Sequence, residues 1–102
     1  MARQALRVVY SLRASKAARE HATYYEDRQP GLGGSFLAAL REAERTAQAN
    51  PTGFREVAAS SEIRAIVIRR FPFRMLYALR GSSILVVAVA HTARKPDRYF
   101  SP

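Results

Sequence analysis

The sequence predicts an α+β fold in the order β-α-α-β-β-β, an antiparallel sheet with a helical hairpin packed on one face. Three observations carry this. Residues 63–90 hold three strand-like apolar runs. Two stretches with apolar residues at three- and four-residue spacing precede them, the signature of helices with one buried side. Between those stretches stands Pro30-Gly31-Leu32-Gly33-Gly34, a break long enough only for a tight connection. A length of 102 residues suits one domain spanning 1–102, because a chain of this size buries roughly two thirds of its unfolded surface and sustains one core.

The elements follow in order. Leu6-Arg7-Val8-Val9-Tyr10 reads as a first strand, and Ser11 is placed to cap what comes next. Residues 12–28 form the first helix, with Ala14, Ala18, His21 and Tyr25 stacked along one face. The second helix is expected to open at Ser35-Phe36 or the glycine before, with Phe36, Leu37, Leu40, Ala43 and Ala47 as its apolar stripe and Asn50-Pro51 as its end. Residues 51–61 read as a loop in which Phe54 and Val57 tuck back onto the core. Strands are predicted at 63–70, 73–79 and 84–90, the last two joined by a tight turn at Arg80-Gly81-Ser82-Ser83. The run Ile84-Leu85-Val86-Val87-Ala88-Val89-Ala90 offers no polar face to water, so it is expected mid-sheet and covered on both sides.

Charge narrows the partners. Seventeen Lys+Arg against eight Asp+Glu give a net +9, which favours polyanions or acidic proteins. Lys16 and Lys95 are the only lysines; the arginine bias suits bidentate contacts to carboxylate or phosphate, and GC-rich coding would equally produce it. Without cysteine there is no disulfide, thiolate metal site or cysteine nucleophile. No cofactor is expected. The N-terminus lacks an apolar signal core, and no segment approaches the roughly 20 apolar residues needed to span a bilayer. A cytoplasmic protein without membrane contact is the expectation.

Few residues invite chemistry. The glycine-rich break lacks the Gly-Lys-Ser/Thr ending of a phosphate loop and sits between helices, so it reads as a hairpin turn. His21 and His91 are too far apart in pattern for a metal pair or an acid/base dyad; His21 reads as a core or boundary residue, and His91 stands better placed at a strand end. Ser35, Ser60, Ser61, Ser82 and Ser83 fall in caps and turns. On the second strand Arg64, Ile66, Ile68 and Arg70 share one face while Ala65, Val67, Arg69 and Phe71 share the other, so both faces finish cationic near Pro72. Arg74 stands in an apolar strand, where it must reach a groove or pair with a carboxylate such as Glu20, Glu26 or Glu56. The tail beyond the central strand, His91 to Phe100, carries Arg94, Lys95, Arg98, Tyr99 and Phe100.

Several of these segments together resemble a known family. Tyr24-Tyr25-Glu26, Pro30-Gly31-Leu32-Gly33 with Phe36, Asn50-Pro51, Ile63-Arg64 through Arg70-Phe71-Pro72-Phe73-Arg74 to Tyr77, and His91-Thr92-Ala93-Arg94-Lys95-Pro96 are similar to the ParE branch of the ParE/RelE toxin superfamily, the small toxins of type II toxin-antitoxin (plasmid stabilisation) modules. The resemblance implies the same β-α-α-β-β-β fold and a toxin held in check by a cognate acidic antitoxin docked near the helical hairpin and a sheet edge. ParE-type members are described as inhibiting DNA gyrase. That activity would use a target-binding patch of Arg69, Arg70, Arg74, His91, Arg94, Lys95, Arg98, Tyr99 and Phe100. RelE-type members instead cleave messenger RNA on the ribosome, and in that alternative Arg74, Arg94 and Tyr99 would be catalytic. The strand-two lysines of the RelE pattern are replaced near Ala65 and Val67, and arginine cannot readily shuttle protons. A third alternative is a non-toxic binding module of the same fold.

Overall fold

The computed structural model describes residues 6–93; the expectations placed on Arg94, Lys95, Arg98, Tyr99 and Phe100 lie outside them. Alternating side chains make β1 (Arg7–Tyr10), with Val8 and Tyr10 turned to the core and Arg7 and Val9 away. Ser11 then caps α1 (Leu12–Arg28): its Oγ accepts the Ala14 N–H at 3.0 Å. Gly31, at φ +90, admits the left-handed turn that launches α2 (Leu32–Ala49). After the loop come β2 (Ile63–Ile68), β3 (Phe73–Arg80) and β4 (Ser83–His91). Gly81, at φ +57, opens the two-residue turn between β3 and β4, where a positive φ matches the twist of a hairpin.

The sheet order is β1-β4-β3-β2. β2, β3 and β4 pair antiparallel, as expected, but β1 joins β4 in parallel, which makes the sheet mixed. The helical hairpin explains this. α1 carries the chain onward from the end of β1 and α2 brings it back, where Gln48 Nε2 donates to the Leu6 carbonyl at 2.6 Å. β2 therefore starts at the same end as β1, and two hairpin turns leave β4 running alongside β1 in the same direction.

Both helices lie on one face of the sheet. Phe36, Leu40, Ala43 and Ala47 of α2 and Ala14 and Ala18 of α1 meet Ile66, Ile68, Phe73, Met75, Tyr77, Ile84, Val86 and Val89 in one core. Burying each large side chain of this set contributes about 1.5–3 kcal/mol. Among the described residues, no helix packs on the other face. There Val57, from the loop, packs with Leu76, Ala88 and Ala90 in a smaller cluster, so β4 is mid-sheet and, among the described residues, its second face is covered by this loop and its neighbours. A bulge between Leu76 and Tyr77 in the pairing with β4 inserts Val87 as an extra residue. It shifts the alternation of β4 so that Val86 and then Val89 face the helices.

Two predicted boundaries move. α2 begins at Leu32, three residues before Ser35, because the Glu26 carboxylate accepts N–H groups from Gly31 at 3.0 Å and Gly33 at 3.0 Å. A carboxylate at a helix N-terminus satisfies orphan donors and complements the helix dipole. Gly33 is buried against α1, and a Cβ there would lie 2.5 Å from the Ala22 carbonyl. β2 stops at Ile68, so Arg69 and Arg70 are turn residues and not the cationic end of two strand faces. Arg70 adopts φ +71, a left-handed conformation that turns the chain before Pro72.

Candidate functional site

Register gathers the arginines. Ile68 pairs with Phe73 and Phe73 with His91, so the end of β2, the start of β3 and the end of β4 form one row at one end of the sheet. Arg69 and Arg70 leave the sheet from that row. In the next row Val67, Arg74 and Ala90 lie side by side. Phe73 and Met75 belong to the helix-side core, so alternation turns the half-buried Arg74 to the opposite face. The rim thus straddles the sheet: His91 shares the Phe73 side, Arg74 occupies the open side, and Arg69 and Arg70 sit between at the turn. These four of the anticipated target-binding residues are brought together.

The turn is held rigidly. Phe71 N–H donates to the Ile68 carbonyl at 3.2 Å, Phe73 N–H to the Phe71 carbonyl at 2.8 Å, and Thr92 N–H to the Pro72 carbonyl at 2.9 Å. Beneath it is an aromatic cluster that residue-by-residue reading had not assembled. Tyr25 and Phe71 stand 4.9 Å apart, Phe36 and Phe71 5.2 Å, Phe36 and Phe73 5.6 Å, and His21 and Phe73 4.2 Å between ring centroids. The first three are edge-to-face, and pairs of that kind contribute about 0.5–1.5 kcal/mol beyond their area burial. The signal was present in Tyr25, Phe36 and Phe71-Pro72-Phe73, but only the fold shows that three elements converge there.

The histidines part as anticipated. His21 is half-buried, its Nε2 3.3 Å from the Val89 carbonyl. His91 is exposed, and its Nδ1 accepts the Ala93 N–H at 3.1 Å, which leaves Nε2 as the nitrogen turned outward to carry the proton. Glu26 and Glu56, anticipated as partners for Arg74, are engaged elsewhere: Glu26 caps α2, and Glu56 lies 3.8 Å from Arg64. Arg64 also donates to the Phe54 carbonyl at 2.6 Å, so it anchors the loop before β2. Arg69 lies 3.4 Å from Glu42 in an exposed pair, worth about 0–1 kcal/mol and easily exchanged.

Sequence reading also passed over Arg45 on α2. It lines a groove of about 560 Å³ with Arg69, Arg70, Phe71, Pro72 and Tyr25. Its exposed position one turn after Arg41 was visible in the helical spacing. Among the described residues, no helix is long and apolar enough to cross a membrane.

The described residues form a small α+β protein with a mixed four-stranded sheet, a helical hairpin on one face and arginines gathered at one sheet end. Its family is shown by sequence. The family model for the ParE toxin of type II toxin-antitoxin system, parDE, matches residues 8–96, and the chain belongs to that family. In structure it is similar to a solved chain described as the chromosomal ParDE TA system from P. aeruginosa, with a TM-score of 0.72 and 14% identity over 84% of this chain and 95% of that one. At that identity the likeness shows a shared fold. No curated protein matches significantly in sequence.

Proposed function

We propose that this ParE-family toxin acts in the cytoplasm by binding DNA gyrase, and that a cognate antitoxin with an acidic segment neutralises it. The observation that carries the reading is the convergence of Arg69, Arg70, Arg74 and His91 at one end of the sheet. Three guanidiniums on rigid backbone give bidentate donors for the carboxylates of a protein surface. Arg94, Lys95, Arg98, Tyr99 and Phe100 would extend the same patch.

The open face beside Arg74 supports a binding role over a catalytic one. Val67, paired with Arg74 across the strands, is 59% exposed. An exposed aliphatic beside an arginine suits protein contact, whereas ribosome-dependent cleavage would need proton-transfer groups there. Arg74, Arg94 and Tyr99 would be the catalytic set in that alternative. The complementary charge of the chain, +9, would speed encounter with an acidic antitoxin.

Expression of the chain in bacteria tests the reading. The proposal expects growth arrest with induction of DNA-damage signalling. Immediate arrest of translation with cut messages would favour the nuclease, and unimpaired growth would overturn both toxic mechanisms.

A further inference from the structure

We infer that the outer face of the helical hairpin carries a second cationic surface, adjoining the rim, which grips the phosphate backbone of duplex DNA without reading its sequence. The inference does not depend on gyrase being the target.

Helical spacing lays the tract down. Ala14 and Ala18 of α1 are buried in the core, so Lys16 and Arg19, set off from them by about 100° per residue, turn to solvent. The two share one groove, and Arg19 shares the next, between the helices, with Arg41 of α2. Arg45 follows Arg41 by one turn, about 6 Å along the axis. A further groove joins Arg45 to Arg69 and Arg70. All six side chains are exposed. Packed helices stand roughly 8–10 Å apart, so neighbouring cations on the hairpin are separated by about 6–10 Å. Those spans fall within the roughly 6 Å and 12 Å widths of the two B-DNA grooves, across which phosphates face each other.

Nearby acids do little to neutralise the tract. Glu44 is half-buried and accepts the Tyr10 hydroxyl, and Glu42 pairs with Arg69. Glu20 lines the groove of Lys16 and Arg19, yet among the described residues no carboxylate forms an ion pair with Lys16, Arg19, Arg41 or Arg45. Arg19 is steadied instead by donating to the Ser15 hydroxyl at 3.1 Å.

The surroundings select a duplex backbone as the occupant. A protein partner would need an apolar centre, and a single strand would need exposed aromatic rings on which its bases stack. Of the large apolar side chains exposed among the described residues, Val9, Val67 and Leu79 lie on the sheet and Leu12 opens α1. Tyr24 carries the Arg28 guanidinium 4.2 Å from its ring centre. None of these stands between the hairpin cations. Phosphates require only charge and donors, and guanidiniums bind them bidentately. The net charge of +9 adds attraction at longer range.

The full chain and labelled duplexes of about 20 base pairs, in two unrelated sequences, test this by fluorescence anisotropy. Binding is expected at about 50 mM salt and equal for the two sequences within about twofold, with log K falling against log salt at a slope of about −4, as for four or five phosphates. Arg41→Ala with Arg45→Ala should flatten that slope by about 2 and weaken binding at least about tenfold. Arg7→Ala with Arg80→Ala is the matched control. Both residues are exposed, alternation turns them to the sheet face away from the helices, and each pair of substitutions removes two of the seventeen cationic side chains. The control should weaken binding by less than about threefold. Lys16→Ala with Arg19→Ala should reproduce the loss from the other helix, so the outcome does not hang on the folding of one variant. Equal losses in hairpin and control variants, an unchanged slope, tighter binding to the single strand or to duplex RNA, or no binding at about 0.1 mM protein would overturn the inference. No gyrase enters this assay: DNA binding by a chain that fails to inhibit gyrase would sink the target alone, and gyrase inhibition by a chain that leaves DNA unbound would sink the hairpin surface alone.

Discussion

Gly33→Ala should destabilise the protein, although alanine is the better helix former. An alanine methyl at this position would lie 2.5 Å from the Ala22 carbonyl oxygen, 3.0 Å from Glu26 Cβ and 3.1 Å from Glu26 Oε1. The first of these is backbone, so the helices must separate. Overpacking of this kind costs about 1–3 kcal/mol, and displacing the Glu26 carboxylate from the Gly33 N–H, now 3.0 Å away, costs about 1 kcal/mol more. The intrinsic preference for alanine offsets roughly 1 kcal/mol. The net loss is about 2 kcal/mol, a melting temperature lower by about 10 °C in a domain of this size. Gly34→Ala is the matched control: it lies one residue on, in the same helix turn, with nothing within 4 Å of a built Cβ. It should hold or raise the melting temperature. Thermal melts followed by circular dichroism decide the matter, and a Gly33→Ala protein as stable as the parent would refute the close approach of α1 and α2.

Other expectations are simpler to state. Glu26→Gln keeps the shape but loses the charged acceptor at the start of α2, and should cost about 1–2 kcal/mol in urea unfolding. Arg64→Ala removes the anchor on the Phe54 carbonyl and the Glu56 pair; a loss of about 1–2 kcal/mol, with faster proteolysis within residues 51–62, should follow. Burial, and for Tyr10 also the Glu44 carboxylate, holds the Tyr10 and Tyr77 phenols protonated above the ordinary value of 10.0. Folded values above the unfolded one mean that this stability is complete below pH 10 and drains as pH rises past it. Tyr10→Phe should therefore lose less stability than the parent between pH 9 and pH 11 (about), read from unfolding midpoints.

What the sequence made legible follows from periodicity. Ala14, Ala18, His21 and Tyr25, and Phe36, Leu40, Ala43 and Ala47, repeat at helical spacing, and the structure turns these faces to the sheet. The central place of β4 was readable because an all-apolar run has nowhere else to go. That same uniformity hid the bulge at Val87, since a strand without polar residues carries no alternation to break. The early start of α2 was hidden for another reason: Gly33 and Gly34 look like helix breakers, and only the fold shows Glu26 capping one end and Ala22 pressing close. The parallel pairing of β1 depends on the path of both helices, which no local pattern encodes. For the site, the cationic bend near Pro72 was visible, but the strand register that sets His91 beside Phe73 and Arg74 beside Ala90 was not. Arg45 was overlooked because its groove is built by the β2–β3 turn, distant in sequence.

Purified gyrase provides the most direct test of the rim. Supercoiling assays with the full chain should show inhibition, and a variant combining Arg69→Ala, Arg70→Ala and Arg74→Ala should need at least about tenfold more protein for the same effect while melting like the parent. Undiminished inhibition by that variant, or none by the parent, would contradict the account.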